Sequence, residues 1–204
     1  LVRVLERFYE LAPEGVVNDR WGGAHWDFRT SEYEQGTEVH EDGFWQHTRG
    51  IGYSFGYNRV EDASTYLTAR EAVRLLVDVV SRGGNLLLNV GPRADGTIPG
   101  PQRACLEGLG AWMRAARPEL SRPSSELMDR TCSLPGARLM SHGDHAVLFA
   151  LDDVEVPLDR LPQEFDWSSS RAGDEETQVS CDRDLLTASP TRLGPGIVRA
   201  ERHH

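Results

Sequence analysis

The chain has 204 residues, 39% of them hydrophobic, a formal net charge of −10 and a pI near 5.2, enough to bury a core of one or two domains. So acidic a surface repels phosphate backbones, which argues against nucleic acid as a partner. No apolar run reaches the roughly 20 residues that a membrane-crossing helix needs, so no membrane partner is expected either.

In chain order, LVRVLERFYELA sets Leu1, Val4, Leu5, Phe8 and Leu11 on one helical stripe. It reads as the middle of an amphipathic helix, so residues are expected to precede Leu1. Pro13, Glu14 and Gly15 break the pattern, and Val16 and Val17 start a short strand. Asn18 to Tyr33, NDRWGGAHWDFRTSEY, follows with no helical or strand period. Its Trp, Phe, Tyr, Arg, Asp and Glu side chains are unlike the small polar residues of a loop that only connects. A second extended run covers roughly Trp45 to Tyr53. Thr68 with Glu71 three residues later forms a capping box, and the helix it opens carries a stripe of Ala72, Leu75, Leu76, Val79 and Val80 before Gly83 and Gly84 end it. NLLLNV, Asn85 to Val90, is a continuous apolar run of the kind found in strands covered on both faces. A further helix runs from about Pro101 to Ala116, with Cys105, Leu109, Trp112, Met113 and Ala116 at helical spacing.

Strand, helix, strand, helix implies right-handed crossovers and a parallel sheet, hence an α/β class to about residue 117. Beyond Pro118 the texture changes. AVLFAL (Ala146 to Leu151) and VEVPL (Val154 to Leu158) sit among Pro, Gly, Ser and Asp and read as β-strands of a second domain. From about Ser168 the composition has few apolar anchors and predicts disorder for part of the tail.

Several patterns exclude chemistry. Cys105, Cys132 and Cys181 are odd in number and widely spaced, forming neither a zinc pattern nor a disulfide set, and Cys105 reads as a core residue. His142 and His145 in SHGDH read as a polar turn, with no further ligand nearby in sequence. GIGYSFG has its third glycine one place late for a dinucleotide loop, and GPRADGT lacks the Lys and Ser/Thr of a phosphate loop. No cofactor or metal is implied.

In parallel α/β folds the active site lies at the carboxyl ends of the strands. Those ends deliver Asn18, Asp19, Arg20 and Trp21 from the first strand, Phe55, Tyr57, Asn58 and Arg59 after the second, and Asn89 from the third. Rings beside carboxylates and guanidinium groups suit a sugar: apolar faces cover its C–H surface, and charged groups bind its hydroxyls. VVNDRWG, HWDFRTSEY, TRGIGYSFGYNR, LVDVVSRGGNLLLNVGPRADGTIP and LEGLGAWM, in that order over about residues 1–117, resemble the retaining α-L-fucosidases among the glycoside hydrolases.

That resemblance implies that Glu32, in TSEY, is the general acid/base. It implies that Arg20 hydrogen-bonds the fucose ring and that Phe55 packs near the C5 methyl. Trp21 is placed with them as a substrate-binding ring. Trp26 reads as core packing, Glu34, Glu38 and Glu41 as solvated, and Tyr57 and Asn58 stay unassigned. The resemblance also implies that the family's nucleophile, an Asp at the end of an earlier strand, and its histidine-rich fucose pocket lie before Leu1. A complete (β/α)8 barrel takes about 250 residues. The expectation is therefore the C-terminal half of a (β/α)8-type barrel over residues 1–117, followed by a β-rich, sandwich-like domain over 118–204. Retaining hydrolysis needs two carboxyl groups about 5 to 5.5 Å apart. The chain alone is thus expected to be inactive on fucosylated glycans or small fucosides, to pair with the missing N-terminal half, and to self-associate as a homo-oligomer through open strand edges. The alternatives are a non-catalytic carbohydrate-binding protein and a barrel glycosidase for another sugar.

Overall fold

The computed structural model describes residues 1–33, 44–121 and 134–203; Glu34, Glu38, Glu41 and Cys132 lie outside the described residues. The opening helix forms as α1 (Val2–Leu11), but of its apolar stripe only Leu5 is buried, with Leu1, Val4 and Leu11 exposed. Val16 and Val17 do not form the expected strand. The Val17 backbone N–H donates to the Asp27 carboxylate (2.7 Å) and its carbonyl accepts from the Asp27 N–H (2.9 Å), so these groups close a loop instead of pairing with a neighbouring strand. Asn18 makes an isolated parallel bridge to Phe28, and the first ladder strand comes just after it.

That strand is β1 (Arg29–Glu32), followed by β2 (Trp45–Gly50) and β3 (Gly84–Asn89) in a parallel sheet of order β1-β2-β3. Between β2 and β3 runs α2 (Ala69–Ser81), and α3 (Gly100–Leu120) follows β3. The capping box forms as expected: the Thr68 hydroxyl accepts from the Glu71 N–H and the Glu71 carboxylate accepts from the Thr68 N–H. Gly83 supplies the left-handed turn after α2 at φ 77°. At Gly84 a Cβ would meet the Trp45 ring at 2.5 Å, so the strand can start there only with glycine.

Side chains alternate between faces along a strand. In this sheet Trp45, Ser31 and His47 are buried on one face, where Ser31 Oγ and His47 Nδ1 share a hydrogen bond of 2.9 Å. On the helix side Leu88 packs against the cluster of Ile51, Ala72 and Cys105. Burial pushes the Cys105 thiol up to about 11. The other face carries Thr30 and Glu32 on β1, Gln46 and Thr48 on β2, and Asn85 and Leu87 on β3, in register. Leu87 is 50% exposed. The expectation that NLLLNV is covered on both faces is thus corrected: among the described residues the helices cover one face of β3 and leave the other open.

The rest of the chain is antiparallel. β4 (Ala137–Ser141), β5 (His145–Ala150), β7 (Arg171–Ala172) and β10 (Gly196–Glu201) form a sheet of order β4-β5-β10-β7, while β6 (Val154–Pro157), β8 (Val179–Asp182) and β9 (Leu185–Ala188) form one of order β6-β9-β8. Leu139, Leu148 and Val198 of the first sheet share a core with Val156 and Leu186 of the second. The opposite face of the first sheet presents Met140, Val147, Phe149 and Ile197 to Val73 and Val77 of α2 and to Trp112 and Ala116 of α3. Burial on both faces is why AVLFAL reads as an unbroken apolar run. It also explains why Val73 and Val77, outside the expected stripe, are buried: a second side of α2 faces this sheet. The same packing carries α3 past its expected end, through Pro118 to Glu119, which is buried. The stretch after Ser168, expected to be partly disordered, forms β7 to β10, anchored by Leu186, Ile197 and Val198. These anchors are single residues spaced by polar ones, and composition averages them away.

Two predictions follow from these cores. Phe149 is wholly buried, so Phe149→Ala should lower the unfolding free energy by about 3 to 5 kcal/mol in a urea titration. The His47 imidazole is held below its usual value by burial and then by the charge of Arg49, with Asp78 opposing. The unfolded chain therefore takes up a proton below about pH 6.5 that the folded chain refuses. Stability from this group is full above that pH and is lost as pH falls toward the folded value. Melting curves from pH 7 to 5 should show a shallower decline for His47→Asn than for the unchanged protein.

Candidate functional site

The carboxyl ends of the three parallel strands lie at one edge of the sheet, and the ring-rich segment folds across the end of β1. Its base is held by Asp27, whose carboxylate accepts from the Tyr9 hydroxyl (2.5 Å) and the Val17 N–H (2.7 Å), with His25 Nε2 2.9 Å from the same phenol oxygen. The bond to Asp27 pushes the Tyr9 phenol up to about 12. Gly22 and Gly23 both adopt positive φ, 65° and 73°, which turns the chain after Trp21 at little steric cost.

On the open face of the sheet, Thr30 and Glu32 stand two residues apart on the same side of β1. The Thr30 hydroxyl donates to the Asp19 carboxylate (2.7 Å) and accepts from Arg20 Nε (3.1 Å). Arg20 Nη2 then reaches the Glu32 carboxylate, a direct ion pair. Burial acts to raise the Asp19 carboxyl, but the hydrogen bonds from Thr30 and the charge of Arg20 outweigh it and hold the group below the usual range. Trp21, 40% exposed, lines an open depression of about 400 Å³ together with Val16, Val17, Asn18, Arg20 and Phe28.

Phe55 arrives from the loop after β2. Its ring lies 5.1 Å from that of Tyr33, the residue after Glu32, and its carbonyl accepts from the Asn89 amide at the end of β3 (2.6 Å). The loop itself is braced by Glu61, which accepts from the Ser54 N–H (2.7 Å), and by Asn58, which donates to the Ser54 hydroxyl (3.1 Å). Arg20, Glu32 and Trp21 are therefore joined through one loop, with Phe55 linked to Glu32 through its neighbour Tyr33. Phe55 is 40% exposed and faces solvent rather than the core. Trp26, expected in the core, is 38% exposed with the Arg29 guanidinium 4.8 Å over its ring; Arg29 at the start of β1 gives it a partner outside the core. Tyr57 lies 5.8 Å from the Arg93 guanidinium.

Sequence reasoning placed Asn89 on this rim but missed Thr30 and Tyr33 as organisers of the region. The signal for Thr30 was its spacing of two from Glu32, which places both on one face once the segment is read as a strand. The arrangement brings together a carboxylate, a guanidinium that reaches it, and exposed rings, equipment for binding polyols and for donating or accepting a proton. Among the described residues the only grouping of three His, Cys, Asp or Glu side chains close enough to share a metal is elsewhere, at Glu119, His142 and His145.

The sequence model of the α-L-fucosidase family matches residues 3–117. Plasma α-L-fucosidase of Homo sapiens is 40% identical over 106 residues, covering 48% of this chain and 22% of that protein. The Thermotoga maritima α-fucosidase, solved in complex with fucose, superposes with a TM-score of 0.71 at 31% identity, covering 97% of this chain and 48% of that one. α-L-fucosidase isoenzyme 1 of Paenibacillus thiaminolyticus shares the fold, with a TM-score of 0.79 at 22% identity over 99% of this chain and 53% of the other. The chain thus spans about half the length of the solved fucosidases that it matches.

The geometry of the loop is open to direct measurement. An alkaline ultraviolet titration should find one tyrosine ionising only near 12, and Asp27→Asn should return it toward the ordinary phenol value near 10.

Proposed function

Because the chain belongs to the α-L-fucosidase family, we propose that its β1–β3 edge is part of a site for retaining hydrolysis of terminal α-L-fucosyl residues, with Glu32 as the general acid/base. The observation that carries this reading is the placement of Glu32 on the open face of the sheet, in contact with Arg20 and one residue from the Tyr33–Phe55 ring pair. Residues 1–117 are read as part of a (β/α)8-like catalytic unit and 118–204 as a β-rich, sandwich-like unit. The open face of β1–β3, with Leu87 half exposed, is read as the side that further α/β polypeptide covers.

In this reading Glu32 gives its proton to the glycosidic oxygen as the bond to the anomeric carbon breaks, while a second carboxylate attacks that carbon. Glu32, now ionised, then takes a proton from the water that releases fucose. The attacking carboxylate is assigned to polypeptide other than these 204 residues. Asp19 is a poor candidate for it, because its carboxylate is engaged in orienting Thr30 and, through it, Arg20. Arg20 occupies the Glu32 carboxylate, yet a general acid must present its oxygen to the glycosidic oxygen when substrate arrives. The role therefore requires Arg20 to pass from Glu32 to the sugar as the sugar enters, which leaves the carboxyl free to act. Phe55 and Trp21 supply apolar surface, and a 6-deoxy sugar is distinguished by a methyl group that only such surface rewards.

A non-catalytic sugar-binding role uses the same rings and guanidinium but no proton transfer. Thermal-shift measurements on the chain test the binding half of the proposal: L-fucose should raise the melting temperature, L-galactose, its 6-hydroxyl analogue, should raise it less, and Arg20→Ala should abolish the fucose effect. Equal shifts with both sugars, or a full shift in Arg20→Ala, would remove the assigned wall and anchor. Release of nitrophenol from 4-nitrophenyl α-L-fucoside by the 204 residues alone would overturn the assignment of the nucleophile to other polypeptide.

A further inference from the structure

We propose that Glu119, His142 and His145 bind a divalent transition-metal ion of the zinc class, which clamps the end of α3 to the β4–β5 hairpin. The proposal is independent of the sugar site. The two histidines were read from sequence as a polar turn because no further ligand stood near them. The fold supplies that ligand from more than twenty residues upstream: α3 runs on to Leu120 and brings Glu119, buried and 2% exposed, beneath the hairpin.

One donor atom from each of the three side chains lies within 4.8 Å of the others. Tetrahedral zinc with bonds of about 2.0 to 2.2 Å holds neighbouring ligand atoms about 3.3 to 3.6 Å apart. His145 Nε2 and Glu119 Oε2 are already close to that spacing, at 3.1 Å, and the remaining closure is within the reach of side-chain rotation in a half-exposed hairpin. The rings of His142 and His145 are stacked with centroids 5.0 Å apart, so one of them has to turn for the in-plane lone pairs of both to meet a single ion.

The outer contacts are those that orient metal-binding imidazoles. His145 Nδ1 lies 2.7 Å from the Asp144 carboxylate, which accepts its proton and leaves Nε2 to face Glu119. His142 Nε2 donates to the Glu119 carbonyl at 2.8 Å, so the neutral ring keeps its lone pair on Nδ1, the atom it would offer to an ion. Arg199, from β10, occupies Glu119 Oε1, so Oε2 is the oxygen available to an ion. The ion takes the place of the proton between His145 Nε2 and Glu119 Oε2, and that proton leaves to solvent. Two imidazoles and one carboxylate, with a fourth position for water, are a donor set that zinc accepts and that calcium and magnesium do not favour.

The test uses the chain stripped of metal with a chelator and titrated with zinc sulfate in a calorimeter and in a melting assay. One zinc per chain and a higher melting temperature are expected. Cobalt(II) in its place should give the intense visible absorption of a four-coordinate site. His142→Asn and His145→Asn, both in a hairpin where folding should survive, should each remove the one-per-chain binding, and Asp144→Asn should weaken it about 10- to 100-fold. Absence of saturable binding would overturn the proposal, as would zinc binding unchanged in the His142→Asn, His145→Asn double variant, since it would then be held elsewhere, for instance by His203.

Discussion

The candidate site depends on the register between β1 and β2. Because side chains alternate across a strand, a slip of one residue would carry Glu32 and Thr30 from the open face to the helix side and strand a carboxylate in the core. The register is fixed from the buried side: Ser31 and His47 pair directly, and both lie where an unpaired hydroxyl or imidazole would be costly. Trp45 adds a second constraint, since its ring lies over Gly84 and its indole N–H donates to the Arg82 carbonyl (3.2 Å). A polar pair in the interior thus sets which way the acid one residue along the strand will point.

The antiparallel half acts on the same sheet through the helices. Its larger sheet is buried on both faces, by the smaller sheet on one side and by α2 and α3 on the other. Ion pairs edge that contact: Asp78 of α2 pairs with Arg82 and with Arg138 of β4, and Arg74 pairs with Asp152 after β5. The Trp112 indole donates to the Pro195 carbonyl across the same contact (3.0 Å). Helices pinned in this way cannot slide over β1–β3, so the β-rich half holds the site in place without contributing a residue to it.

Much of this was legible in the sequence. The capping box at Thr68, the helix of Trp112 and the parallel α/β order follow from periodicity and capping chemistry, whereas Arg20 and Glu32 were singled out by the family resemblance. What was not legible depended on contacts between distant residues. Val16 and Val17 have strand propensity, but the backbone groups of Val17 are taken by Asp27, ten residues on. NLLLNV looks like a doubly covered strand because Leu87 is apolar, and only the layering shows that no described element lies over it. Val73 and Val77 escaped the helical stripe because a helix packed on two sides has two stripes, and a single-face template finds one.

The histidine hairpin carries that lesson furthest. Local reading treats SHGDH as a turn because metal sites are recognised by ligands at short spacing, and on the sequence alone nothing nearby completes the set. The third ligand lies at the end of a helix whose length itself was underestimated, since Pro118 reads as a terminator. Pro in the last turn of a helix removes one backbone hydrogen bond, but here burial of Ala116 and Glu119 against the four-stranded sheet outweighs that loss. The one extra turn converts two surface imidazoles and a distant carboxylate into neighbours, and it does so where three elements meet, so that an ion bound there would join α3 to the sheet on which the rest of the packing relies.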